Sequence, residues 1–141
     1  MSRRRPPPSR TSHPSAPKAS GPRALQVVSL SDARLSRRLA NYRARLDAVL
    51  RANQHAVTRL FATGALFTRT GTRAGRDLLL AHEHLLRASA LLDRLAHAGD
   101  VPAPRRAAEV DAIFSELSLL LERTDELTRQ TGELLHELTR R

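Results

Sequence analysis

The side chains best suited to chemistry in this chain are six histidines, His13, His55, His82, His84, His97 and His136. His82-Glu83-His84 has the composition of a metal site. On a helix, however, residues two apart point roughly 200° away from each other, so the two rings cannot hold one ion without unwinding the backbone. A zinc helix of the H-E-x-x-H kind places its rings at i and i+4 on one face instead. A di-iron bundle needs E-x-x-H twice, whereas Glu133 with His136 stands alone and Glu83 is followed three residues on by Leu86. Thr70-Gly71-Thr72-Arg73-Ala74-Gly75-Arg76 gathers glycines, hydroxyls and arginines. It lacks the lysine and the preceding strand of a P-loop, and reads as a solvated bend or as a phosphate-contacting turn opening a helix. The acids of the C-terminal third are spread around a helix circumference, with no two placed as general acid and base. With no cysteine, disulfides, thiolate metal sites and cysteine nucleophiles are all excluded. These readings point to a non-catalytic protein with no cofactor and no metal.

Charge is distributed more tellingly than its total of +10 suggests. Residues 1–76 hold 16 cations and two acids, residues 77–106 four of each, and residues 107–141 four cations and eight acids. One end is basic and the other acidic, so the ends can pair with each other as readily as with a foreign partner. Aromatic residues make up only 3% of the chain, too few for the base-stacking platforms of an RRM or OB-fold. No uncharged apolar run approaches the ~20 residues that would span a bilayer, so no transmembrane segment is expected.

Residues 1–30 read as a disordered Pro/Arg-rich tail. Six of the eight prolines fall within residues 1–23, with six cations and no acid, and too little apolar surface to offset the entropy of ordering. Its basic start is followed by no apolar stretch before Ala24, so it does not read as a secretory signal, and a cytoplasmic location is expected. Arg3, Arg4, Arg5, Arg10, Lys18 and Arg23 are the candidate contacts to nucleic-acid phosphate, through counterion release and without sequence preference.

Residues 31–141 read as an all-α domain of long, coiled-coil-like helices over about 32–68, 76–98 and 104–139. Ser31 is placed to cap the first helix, Asp32 to sit in its first turn, and Leu30 to staple onto Leu35. Leu35, Leu39, Tyr42, Leu46, Val49, Asn53, Ala56 and Leu60 recur at alternating spacings of four and three, a coiled-coil seam with one polar member, Asn53. A second seam runs through Val110, Ile113, Leu117, Leu120, Thr124, Leu127, Thr131, Leu134 and Leu138. Between them lie Leu78, Leu85 and Leu92, flanked by Leu79, Leu86 and Leu95, with His82 on the apolar stripe as a core or interface residue. The leucines of these stripes, together with Asn53, Val110 and Ile113, are the candidate helix–helix interface.

Gly99, Asp100, Pro102 and Pro104 forbid continuation, so residues 99–103 read as a hairpin loop making its neighbours antiparallel. The glycines and threonines of 63–76 leave two arrangements open. In one, a loop at 69–75 folds the chain into a three-helix bundle. In the other, a kinked helix runs on and forms a helical hairpin whose proximal half needs another chain. Arginines on the first helix and acids on the last favour packing those two side by side. The expected function is a non-catalytic adaptor or scaffold acting through helix–helix association, as a homo-oligomer or with another helical protein. The alternative is a sequence-independent nucleic-acid binder that uses the arginine-rich N-terminal half.

Overall fold

The computed structural model describes the backbone of residues 22–98 and 103–140, with side chains from 30 to 98 and from 105 to 140. Three helices carry nearly all of it: α1 (Pro22–Ala62), α2 (Arg69–Ala96) and α3 (Ala103–Arg140). A short 3₁₀ turn, Ala65–Phe67, lies between the first two. At 1.5 Å per residue their 41, 28 and 38 residues make rods of about 61, 42 and 57 Å. The described residues contain no strand, and none of their helices is long and apolar enough to cross a membrane.

Side-chain partners fix the directions of the rods. Arg87 pairs with Glu116 and Arg94 with Glu109, so α2 and α3 run antiparallel. Arg38 pairs with Asp111 and Tyr42 with Ser118, so α1 and α3 run parallel. Each helix touches both others, and the chain is an up-down-up three-helix bundle. This selects the folded-back arrangement over the kinked rod, because every seam finds a neighbour within the chain.

α1 begins at Pro22, well before the expected start near Ser31. Proline suits the first helical turn, where its missing N–H costs nothing, and residues 24–30 contain neither glycine nor proline to stop propagation backward from the packed turns. Ser31 and Asp32 therefore sit within the helix, not at its cap, and Leu30 stays 61% exposed instead of closing a staple. The segment 22–30 is thus helix and not tail. Residues 1–21, with Arg3, Arg4, Arg5, Arg10 and Lys18, lie outside the described residues, as do the side chain of Arg23 and most of the expected 99–103 loop.

The break between α1 and α2 falls at 63–68, not at 69–75, which is helical. Gly64, at φ +65°, takes the left-handed conformation that ends a helix. Three threonines then satisfy the exposed backbone. Thr63 donates its hydroxyl to Arg59 O (2.9 Å), and Thr68 donates to Ala65 O (2.7 Å). Thr68 also accepts from Gly71 N (3.0 Å), and Thr72 reaches Thr68 O (2.9 Å) and Leu66 O (3.1 Å). Thr68, with extended backbone, is thus the N-cap of α2. Gly71 permits the turn to lie against α2: a Cβ there would stand 1.7 Å from Ala65 O. Gly132 has no such reason, since a Cβ would meet nothing within 4 Å. Gly132→Ala is accordingly expected to raise stability by up to about 1 kcal/mol, read as a higher urea midpoint with unchanged slope.

The core divides into two clusters. The larger joins Leu46 and Val49 of α1, Leu85, Leu92 and Leu95 of α2, and Ile113, Phe114, Leu117 and Leu121 of α3. The smaller, toward the α1–α2 turn, is Ala56, Leu60, Ala65, Ala74, Leu78 and Leu135, half of it alanine. On α1 the buried positions follow the expected seam. On α3 the stripe is wider and shifted: Phe114, Leu121, Thr128 and Leu135 are buried while Leu127 and Leu134 are only half-buried. A helix facing two neighbours needs a broader apolar face than the seam of a two-stranded coiled coil, which is why the residues one place beyond that seam are drawn in.

Candidate interaction surface

The leucine stripes expected to bind another helix are consumed inside the chain. Leu46, Asn53, Leu60, Leu78, Leu85, Leu92, Ile113, Leu117 and Leu120 are buried in the bundle, and Leu35, Leu39, Val110, Leu127, Leu134 and Leu138 half-buried along it. A free surface must be sought elsewhere.

It lies between α1 and α2, on the side away from α3. A cleft of about 640 Å³ opens there, walled by Val57, Leu60 and Phe61 of α1, by Leu66 in the turn, and by Gly75, Leu78 and Leu79 of α2. Gln54, Thr58, Thr72, Arg76 and His82 ring it, and Asn53 reaches it from the core. Large apolar side chains stand around and beyond its mouth: Phe61 is 64% exposed, Phe67 93%, Leu79 67% and Leu86 60%. Two of the chain's three phenylalanines are thus held in water. Phe61 and Leu79 share the cleft, and apolar exposure grouped in this way marks binding surfaces, whereas scattered exposed leucines do not.

Sequence periodicity missed Phe61 and Phe67 because both fall off the seams. Leu79 and Leu86 were visible as seam neighbours, and their seven-residue spacing repeats on the outward side of α2. Large apolar residues at recurring outward positions were the available signal. His82, expected in the core or at an interface, is exposed on the cleft rim, because Ala81, completely buried, takes the inward position beside it.

The cleft sits over the weaker half of the bundle. Between the two core clusters runs a polar layer of Asn53, Thr124, Thr128 and Thr131, all buried. Thr124 donates to Leu120 O (2.7 Å), and Asn53 Nδ2 donates at a long 3.4 Å to Leu78 O. Asn53 Oδ1, Thr128 Oγ1 and Thr131 Oγ1 have no protein partner, nor does Nδ1 of half-buried His84. A buried polar atom left unsatisfied costs about 1–3 kcal/mol. Thr131→Val, which keeps the shape and removes the hydroxyl, is therefore expected to stabilise the fold by about 1 kcal/mol, measured by thermal and urea unfolding.

α1 and α3 lie side by side, as their opposite charges favour, with few direct ion pairs between them among the described residues. Of the seven arginines of α1 whose side chains are described, Arg38 meets Asp111 at 3.7 Å and also lies over the Phe114 ring, 4.0 Å from its centroid. The closer inter-helix ion pairs of α3 are made with Arg87 and Arg94 of α2. Arg34, Arg37, Arg43, Arg45 and Arg51 are exposed. On α3, hydrogen bonds from Arg129, and then from Gln130, hold the Glu126 carboxyl below its ordinary pKa, and the same contact raises that of Arg129.

The Thr70–Arg76 stretch is the opening of α2. Gly71 N is bonded to the Thr68 cap and the Thr72 hydroxyl is directed to backbone carbonyls, so that amide and that hydroxyl are already engaged, while Arg73 and Arg76 stay exposed. No three His, Asp or Glu side chains converge as a metal site among the described residues. No protein-family model, curated protein or solved structure matches this chain.

Proposed function

We propose that the protein is a non-catalytic helical adaptor whose α1–α2 cleft docks a helix of a partner. The observation that carries this reading is the coincidence, at one end of the bundle, of an open apolar cleft, two solvent-held phenylalanines and an alanine-rich core. An amphipathic helix laid in a groove buries side chains at i, i+3, i+4 and i+7. Fully burying a large apolar side chain contributes about 1.5–3 kcal/mol, so the exposed rim residues supply a substantial gross gain against the entropic cost of association.

Phe61→Glu and Leu79→Glu test it. Both residues are exposed, so each variant is expected to keep wild-type helicity and urea stability within about 0.5 kcal/mol while losing the helical partner captured by the wild-type chain from its native host. Retention of that partner by both variants would contradict the reading.

The exposed arginines of α1 favour a second reading, sequence-independent nucleic-acid binding aided by the N-terminal arm. Neutralisation of about six phosphates by Arg3, Arg4, Arg5, Arg10, Lys18 and Arg23 gives a log–log salt slope near −5 in a mobility-shift titration. Deletion of residues 1–23, which removes all six, should flatten that slope toward what the α1 arginines alone contribute; retardation indifferent to the deletion excludes the arm.

A further inference from the structure

We infer that the occupant of the α1–α2 cleft is a second copy of this chain, joined about a two-fold axis that passes beside Leu79. This rests on the docking reading above and gives it a partner.

A two-fold interface uses the same patch on both molecules, so that patch must carry both projection and recess. This one does: Phe61 projects at the cleft that Val57, Leu66 and Leu79 wall, and Phe67 stands exposed in the adjoining turn. Charge agrees. Arg76 and Glu83 lie seven residues apart on the outward side of α2, on either side of Leu79, and neither is in an ion pair within the chain. Antiparallel approach of two α2 helices about that axis sets Arg76 of each copy against Glu83 of the other, twice per dimer. The face is therefore complementary to itself. Elsewhere one sign is in excess: exposed arginines along α1 and acids along α3. The chain's own arm is a poor occupant, since residues 2–21 contain no apolar side chain larger than alanine or proline.

Sedimentation equilibrium of the full chain, with charge reversals, decides it. The wild type is expected to be a dimer. Arg76→Glu alone and Glu83→Arg alone each place like charges together at both contacts and should weaken dimerisation on the order of tenfold. The double variant exchanges the two signs and should recover affinity to within roughly threefold of wild type. Because the chain has no cysteine, Leu79→Cys adds an independent readout: rapid disulfide-linked dimer under mild oxidation, which Glu122→Cys on α3 does not show. A double variant as weak as its worse parent, or no preference for position 79, would overturn the axis. A wild-type monomer would overturn self-pairing, while loss of a captured host protein on Phe61→Glu would still leave the docking reading standing. A monomer from which neither Phe61→Glu nor Leu79→Glu removes a partner ends both.

Discussion

Phe114→Ala is expected to destabilise the bundle by about 3–5 kcal/mol, the largest loss from any single side-chain truncation here. Phe114 is completely buried and is the largest side chain in the core. Its ring packs on Tyr42, with centroids 5.1 Å apart at 43°, and Arg38 covers it from α1. The Tyr42 hydroxyl lies 2.6 Å from Ser118 Oγ, so the same aromatic pair also carries the polar tie between α1 and α3. Truncation would leave a cavity that three long rods can close only by changing their spacing, and would remove both the aromatic contact and the cation's seat. Urea unfolding followed by circular dichroism measures it, and Phe114→Leu should lose distinctly less. A loss below 1 kcal/mol would mean that α1 does not lie against α3 as described.

Gly71→Ala is expected to cost about 2–4 kcal/mol, although alanine is the better helix former. The new Cβ would overlap Ala65 O at 1.7 Å, and backbone cannot yield as a flexible side chain can. Moving the turn aside would also stretch the Thr68 cap on Gly71 N, a contact of a kind that contributes about 0.5–2 kcal/mol. Gly64→Ala serves as a reference: no atom lies within 4 Å, so its cost is the left-handed φ alone, about 1–2 kcal/mol. The order Gly71→Ala worse than Gly64→Ala, with Gly132→Ala at or above wild type, separates close approach, conformational strain and propensity at three glycines.

That ordering also shows where the sequence was legible. The seam of α1 and the antiparallel α2–α3 pair follow from four-three spacing and from the stop signals after Leu95. Periodicity cannot choose among neighbouring glycines, however. Gly64, Gly71 and Gly75 weaken a helix alike on paper, and the break goes to Gly64 only because Thr63, Thr68 and Thr72 can satisfy the carbonyls and amides freed there. The start of α1 was invisible for the opposite reason, since a local cap at Ser31 competes with propagation that tertiary packing sustains. The proposed interaction surface was the hardest to see. Stripes that repeat strongly are what a bundle buries, so reading them as an external interface confuses the core with the surface. Phe61 and Phe67, one at an off-seam position and one in a turn, carry no periodic signal at all.

The central claim is that the α1–α2 face is covered when the protein works. The chain's lack of cysteine makes the direct measurement clean: maleimide labelling of Leu79→Cys in native host cells, compared with dilute purified protein, with Glu122→Cys as the exposed reference on α3. The expected result is at least tenfold slower labelling at position 79 in cells and equal rates at position 122. Equal rates at both positions in both settings would show an uncovered face and contradict the account.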